Sequence, residues 1–589
     1  MSEAETTKTV SSDIKETSEQ AKPNEGVKKR ITGSEAVVKS LLAEGVETIF
    51  GYPGGAIMPV YDELFNYRNE LHHVLTRHEQ GAVHAAQGYA RVSEKVGVCM
   101  ATSGPGATNL VTGIADAYID STPIVCITGQ VGSHLLGTDA FQETDVVGIT
   151  MPVTKWNYQV TKAEDIPVAM AKAFYIAKSG RPGPVLLDIT KDAQFSELDF
   201  EYKKCVKIRS YIPIPTIKKE KIAEAAELIN SAEKPFVIFG QGVLLGRAEN
   251  EFKQFIEKGG LPTAWTILGL SALESDHPLN MGMLGMHGHY APNKLTNECD
   301  VLIAVGMRFD DRVTGDVSRY AKQAKIIHID IDKSEINKII KAYVGIHADV
   351  KEALPILTDL IETRTHSGWI GEFHKLRQIE DEKIIQSELF PTEGKLTMGE
   401  VVNIISEKTN GDAVIVSDVG QHQMITCRYT KFKHSKSNIT SGGLGTMGFA
   451  LPASMGAKLA VPDRTVVAII GDGGIQMTIQ ELGTILQTKI NLKVVVLNNN
   501  FLGMVRQWQE LFFDKRYAST YMDNPDFVTI ARGYGMESRK LESRENLSQA
   551  IQEMLDHDGA YFLEVKVGKE DNVFPMVPTG ASVDEIRLE

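Results

Sequence analysis

The stretch VVAIIGDGGIQM (residues 466–477), with its echo VVVLNNNFLGM (494–504), decides how this chain is read. Each opens on a run of aliphatic residues of the kind that forms a strand buried on both faces. Each run ends on or beside an oxygen-bearing side chain, Asp472 in one and Asn499 in the other. In a parallel sheet the carboxyl ends of neighbouring strands form the edge at which ligands bind, so the two oxygen ligands converge. Gly471, Gly473 and Gly474 let the backbone approach a phosphate, and a helix starting near Ile475 aims its N-terminal N–H groups at it. A hard oxygen site completed by phosphate and water suits Mg2+.

Outward from this pair the same texture recurs. VGVCMATSGPG, TPIVCITGQ and PGPVLLDIT are short apolar runs ending at glycine or a polar residue, and ITGSEAVVKSLLAEGVETIFGYPGG ahead of them reads as helix, strand and turn. After a Lys-rich break near residue 210, KPFVIFGQG, CDVLIAVGMRFDDR and AKIIHIDID give a second set, spaced by helical segments such as AENEFKQFIEKGG. The charged stretch EFHKLRQIEDEKIIQSELFPTEGK reads as a linker to a third set, of which DAVIVSDVGQH is the first strand. The expectation is an α/β chain of three doubly wound parallel sheets. The first and third are related, because TSGPGATNLVTGIADAYIDSTPIVCITG parallels TSGGLGTMGFALPASMGAKLAVPDRTVVAIIGDG.

The bulk numbers agree with about three domains, at roughly 150–200 residues each. With 62 basic and 76 acidic residues the formal charge is −14, which disfavours nucleic acid or an anionic membrane as a partner. The 5 cysteines are scattered without a CxxC pair, which fits a reducing compartment and no structural zinc; cytoplasm is the expected location. Residues 1–29 read as a disordered polar tail, and no apolar run is long enough to span a bilayer.

GDG followed by Asn at this distance resembles the signature of thiamine-diphosphate enzymes. The resemblance implies that Asp472, Asn499 and the main-chain carbonyl of Phe501 ligate Mg2+, and that Gln421, His422, Gly503 and Met504 join the glycines around the cofactor. GLGTMG has the GxGxxG spacing of dinucleotide folds (Gly443, Gly445, Gly448), but the preceding KHSKSNITSG is not an apolar strand. By resemblance it instead meets the aminopyrimidine ring, with Gly445 in contact and Met447 bending the cofactor. Glu79 of TRHEQGAVHAAQGYAR could be no more than a first-turn acid. The segment resembles the one that presents a carboxyl group to ring nitrogen N1′, an acid–base contribution worth about 10² to 10⁴ in rate.

The middle domain narrows the family. LGMHGH, GMRFDDRVTG, HIDID and HADV resemble the FAD-binding segments of the acetohydroxyacid (acetolactate) synthase catalytic subunits, a resemblance that runs from about residue 30 to the end. It implies a pyrimidine-binding domain at 30–200, a Rossmann-like FAD domain at 215–365 and a diphosphate- and Mg2+-binding domain at 390–589. Flavin contacts would come from Arg181, Gly240, Gly242, Thr266, Met286, His287, Gly306, Arg308, Asp310, Arg312, Asp330, Ile331, Asp349 and Val350. Phe141 and Gln142 would lie in the substrate channel and Lys191 at its mouth. Arg312 would receive the carboxylate of a second 2-keto acid, and Trp508, with Met504 on the same helical face, would favour 2-ketobutyrate over pyruvate.

The implied reaction joins the two-carbon unit of decarboxylated pyruvate to pyruvate or 2-ketobutyrate, giving 2-acetolactate or 2-aceto-2-hydroxybutyrate for branched-chain amino acids. Because Glu79 and the diphosphate site lie in different domains, a homodimer or dimer of dimers is implied, with a small regulatory subunit. Gly132, Ser133, His134 and Gly474 depart from the pattern of plant members. A pyruvate oxidase-like flavoprotein and an inactive nucleotide-binding module are the alternatives.

Overall fold

The computed structural model describes residues 30–589, so the expected tail at 1–29 lies outside the described residues. Three six-stranded sheets, each wholly parallel, form the chain. The first runs in the spatial order His72–Leu75, Thr48–Gly51, Gly97–Ala101, Ile124–Gln130, Val185–Thr190, Trp156–Val160. The third runs Asn438–Thr440, Val414–Ser417, Val466–Gly471, Lys493–Asn498, Tyr561–Lys566, Glu537–Leu541. Numbered along the chain, both read 2-1-3-4-6-5, so the internal repeat seen in the sequence is a repeat of topology.

The middle sheet runs Asn280–Met283, Thr263–Trp265, Pro235–Phe239, Val301–Val305, Lys325–Asp330, Val344–His347. That is the order 3-2-1-4-5-6 of dinucleotide-binding folds, whose switch point lies between the first and fourth strands. The three expected doubly wound sheets are therefore present. One addition was not expected: Arg30–Thr32 pairs antiparallel with Glu197–Asp199, tying the two ends of the first domain together.

Several readings need correction. The helix after the GDG turn spans Asp472–Thr478, so it starts three residues before Ile475 and takes Asp472 into its first turn. The charged stretch at 372–395 is not extended linker. Helix Ser367–Glu380 continues through a π-helical turn, Asp381–Ile385, into Gln386–Leu389, and Trp369, Phe373 and Ile384 on it are buried. Finally, a three-residue edge strand, Asn438–Thr440, does precede GLGTMG; it is too short and polar to announce itself.

The first and third domains meet through two helices. Helix Glu79–Ser93 carries Ala82, Ala85, Ala86 and Gly88 as buried residues, and helix Ala450–Ala460 carries Ala450, Ala453, Gly456 and Ala457. The crossing is reciprocal. A Cβ on Gly88 would lie 1.9 Å from the Ala453 carbonyl oxygen, and one on Gly456 would lie 1.8 Å from that of Ala85. Small residues here are a condition of contact, since backbone is the neighbour and cannot move aside like a side chain.

Gly88→Ala is expected to destabilise the fold by at least about 1–3 kcal/mol, the usual cost of overpacking. Gly371→Ala, inside helix Ser367–Glu380 with nothing within 4 Å of its added Cβ, is the contrast and is expected to stabilise by roughly 0.5–1 kcal/mol. Thermal unfolding of the two variants checks both; equal transitions would contradict the crossing as described.

Candidate functional site

A cavity sits at the carboxyl edge of the third sheet, as the parallel-sheet rule requires. Its wall is formed by Gln421, His422, Met447, Gly471, Asp472, Gly473, Gly474, Asn499, Phe501, Gly503 and Met504, together with Met398, Val419, Gly420, Leu497, Leu502 and Val505. The first eleven were expected from sequence. They come from strand ends and from the turns and helix starts beyond them: Asp472 follows Val466–Gly471, Asn499 follows Lys493–Asn498, and Gln421 and His422 open helix Gln421–Tyr429 after Val414–Ser417.

Electrostatics in this cavity follow from burial. Asp472 is 1% exposed, and burial pushes its carboxyl up to about 6, against the opposing hydrogen bond from Asn524 Nδ2 at 2.6 Å. Asn499 donates to Gln421 Oε1 at 3.2 Å, and its own Oδ1 accepts the Phe501 N–H at 3.1 Å. Gln421 is fixed in turn by donating to Gln507 Oε1 at 3.0 Å and to the Asp571 carbonyl at 2.8 Å. His422 is driven down to about 3 by burial, so its ring is neutral, and its Nε2 is buried without a partner. A buried polar atom left unpaired costs free energy unless a ligand meets it.

The residues fit the group that the sequence suggested. One carboxylate, one amide oxygen and a nearby main-chain carbonyl form a hard, incomplete oxygen set, and among the described residues no group of three or more His, Cys, Asp or Glu could hold a metal alone. Such a set binds Mg2+ when phosphate oxygens and water complete it. The unpaired His422 nitrogen, carrying the proton of the neutral ring, would offer that phosphate a donor. Met447 Cε lies 3.4 Å from where a Cβ on Gly473 would be, so its side chain lies against the cofactor-facing turn.

Sequence reasoning missed two residues here. Asn524 holds Asp472 from the loop ahead of helix Phe527–Gly533. Asp418 is fully buried, is pushed up to about 7 by burial, and accepts the Gly448 N–H at 3.0 and 3.1 Å. The SDVG motif directly before Gln421 was the available signal for Asp418. For Asn524 there was none.

Other expected residues fall elsewhere. Glu79 lies outside this cavity: it is the first residue of its helix, and its Oε2 accepts from Asn109 Nδ2 at 2.9 Å. Phe141 is 87% exposed, Gln142 adopts a left-handed φ of 61°, and Lys191 is an exposed helix-start residue. Trp508 stands one turn after Met504, its ring 5.1 Å from Phe512. Arg312 and Met286 line a second cavity with Asp311 and the C-terminal residues Val577–Gly580.

Around the middle sheet, Gly240, Thr266, Gly306 and Asp330 stand at carboxyl ends of strands. Gly306 (φ +56) and Gly242 touch at the switch point, with the Gly242 N–H donating to the Gly306 carbonyl at 2.9 Å. His287 is buried with an unpaired Nδ1 and lowered to about 3 by burial. Arg308 reaches Gly443 of the third domain, its NH2 2.9 Å from where a Cβ there would sit. Not all side chains are free for a flavin. Asp310 and Asp349 cap helices, Val350 is core, the Ile331 carbonyl accepts from His347, and Arg181 pairs with Asp332 at 3.2 Å and Glu335 at 2.8 Å. The glycine junction and His287 fit a dinucleotide; the capped carboxylates would serve it through their backbone.

Comparison with known proteins agrees with this layout. Residues 31–149 match the N-terminal thiamine pyrophosphate (TPP) binding domain of thiamine pyrophosphate enzymes, 222–357 the central domain and 418–565 the C-terminal TPP binding domain. The acetolactate synthase isozyme 2 large subunit of Escherichia coli is 44% identical over 94% of this chain and 99% of its own. The acetolactate synthase large subunit of Corynebacterium glutamicum is 45% identical over 95% and 90%. A probable acetolactate synthase large subunit of Methanocaldococcus jannaschii is 43% identical over 94% and 95%. With the cavity at the GDG turn, the repeated topology and near full-length similarity together, the chain belongs to the thiamine pyrophosphate enzymes and, among them, to the family of acetolactate synthase large subunits.

Proposed function

We propose that the chain is the catalytic subunit of an acetolactate synthase, which decarboxylates pyruvate and condenses the remaining two-carbon unit with pyruvate or 2-ketobutyrate in branched-chain amino-acid biosynthesis. The observation that carries this is the single cavity in which Asp472, Asn499, Gln421, His422 and Met447 converge. Thiamine diphosphate, when bound, supplies the electron sink for loss of carbon dioxide and for transfer of the two-carbon unit. Asp472, Asn499 and the Phe501 carbonyl would hold Mg2+, while Gln421 and His422 would face the diphosphate and Met447 the ring system.

Glu79 would hold a proton at the pyrimidine nitrogen. Its position outside the cavity, whose wall comes from the third domain alone, supports a site shared between two copies of the chain. The exposure of Phe141 (87%) and Leu444 (44%) beside these segments supports the same arrangement. Phe141, Gln142 and Lys191 would then complete the channel, with Arg312 receiving the acceptor carboxylate and Trp508 contacting its extra methyl. FAD would lie along the carboxyl edge of the middle sheet. The large-subunit names of the relatives support a smaller partner subunit. Among the described residues no helix is long and apolar enough to cross a membrane.

A competition assay with pyruvate, 2-ketobutyrate, thiamine diphosphate, Mg2+ and FAD tests the reading. Both acetohydroxy acids are expected as products; absence of either product class sinks it. Trp508→Leu is expected to move the product ratio toward 2-acetolactate by about 10-fold or more, since one methylene contact is worth about 1–3 kcal/mol.

A pH prediction follows from Asp472, whose raised value of about 6 means that a proton competes with the cation below that pH. Mg2+-dependent thiamine diphosphate affinity should be flat above pH 6 and fall by up to about tenfold per unit below it. A titration that stays flat to pH 5 would remove Asp472 from the ligand set.

A further inference from the structure

Glu481 is a fully buried carboxylate that takes no part in the cavity described above. It ends the turn Ile479–Glu481 in the third domain, yet its main-chain donor, Arg77, lies 404 residues earlier. Its Oε1 and Oε2 accept the Arg77 N–H at 3.0 and 3.2 Å, and Oε2 also accepts from the Thr484 hydroxyl at 2.6 Å. Arg77 returns the grip, donating from its guanidinium to the Gly483 carbonyl at 3.0 Å and to Gln487 Oε1 at 2.8 Å. Burial raises the Glu481 carboxyl, while the Thr484 hydroxyl and the N–H groups of Arg77 and His78 act to lower it. The fit is close. A Cβ on Gly81 would lie 2.3 Å from Glu481 Oε1.

The residues held in this way, Arg77 and His78, run straight into helix Glu79–Ser93. With the domains exchanged, the arrangement recurs. Asp120, at the end of helix Val111–Ile119 in the first domain, accepts the Gly442 N–H at 2.9 Å and the Gly443 N–H at 2.7 Å, with Arg91 at 2.8 Å. One turn earlier Asp116 accepts from the hydroxyls of Thr446, at 3.0 Å, and Ser441. The segment these residues bracket, 441–446, contains Gly445, with Met447 next, and leads to helix Ala450–Ala460. The third domain therefore sends one buried carboxylate across the boundary and the first domain two, to hold the segments that bring the other domain's cofactor-facing residue into place.

A carboxylate suits this task because it only accepts, offers two oxygens, and forms charge-assisted bonds about twice as strong as neutral ones. A buried charge that lost those donors would be costly, so the donors are held where they are. We propose that Glu481 is a positioning residue for Glu79, and that Asp120 does the same for the segment bearing Gly445 and Met447. The proposal rests on the reading of Glu79 as the carboxyl group that faces the cofactor.

The test uses the full-length chain with Mg2+ and compares E481Q, E481D, D120N and E79Q with the parent. Three quantities are read: the thiamine diphosphate dissociation constant from fluorescence titration of the apoprotein, the deuterium exchange rate at C2 of the bound cofactor by acid quench and proton NMR, and apoprotein unfolding. E481Q is expected to slow exchange by about tenfold or more, part of the 10² to 10⁴ that an acid–base group supplies, with affinity changed less than about threefold. D120N should instead weaken affinity by about tenfold. E481D keeps both oxygens but withdraws them by one methylene, and is the second variant should E481Q fail to fold; it should slow exchange in the same sense. Parent-like exchange in a folded Glu481 variant, with slow exchange in E79Q, overturns the positioning role alone. Parent-like exchange in E79Q overturns the reading of Glu79 beneath it.

Discussion

The close crossing of helices Glu79–Ser93 and Ala450–Ala460 is the constraint from which the rest of the molecule follows. In this chain the two domains of the same topology face each other with their helices at backbone contact. Gly88 against Ala453 and Gly456 against Ala85 make that possible from both sides. Once the crossing is set, the ends of these helices and the turns that lead into them are fixed relative to both sheets. Glu79 starts one helix and Met447 stands three residues before the other, so a packing contact with no chemistry of its own determines where the chemical groups can be.

Around that crossing the chain buries several carboxylates, and most are satisfied by neutral donors. Asp418 accepts the N–H groups of Val419 and Gly448, and Glu481 accepts from Arg77 N–H and Thr484; Asp116 accepts two hydroxyls on Oδ1 while its buried Oδ2 is left without a partner. Asp120 adds the guanidinium of Arg91, which is itself tied to the Thr440 carbonyl at 2.6 Å. Such groups add little stability once desolvation is counted. What they supply is definition, because a main-chain N–H facing a buried carboxylate has one low-energy position. The turns at 77–78 and 441–448 are thereby held without regular secondary structure, which leaves their other faces for a ligand.

Legibility in the sequence followed burial. The central strands, such as Val466–Gly471, Lys493–Asn498 and Val301–Val305, are buried along their whole length and read as apolar runs. The edge strands His72–Leu75, Trp156–Val160 and Glu537–Leu541 are partly exposed, carry polar residues, and left no such signal. The cavity of the third domain was legible for the same reason: Asp472 and Asn499 sit directly at the ends of buried strands. Asn524 was not, because it arrives from a loop whose course depends on packing, and its local sequence is ordinary. The helical connection at 367–389 misled in the opposite direction, since its charged residues hide the small buried stripe of Trp369, Phe373 and Ile384.

By itself the sequence determined three parallel sheets, the kinship of the first and third, the oxygen-bearing side chains at the strand ends and the family. These rest on local patterns, hydrophobic period and motif spacing, that need no knowledge of what lies across the molecule. Only the tertiary structure decided that Glu79 stands outside the cavity of its own chain, that Asp310 and Asp349 are committed to capping helix ends, and that Glu481 and Asp120 reach across the domain boundary. The reason is physical. A hydrogen bond spanning 404 residues has no period and no spacing, and comes into being only when the helix crossing has set the two domains in place.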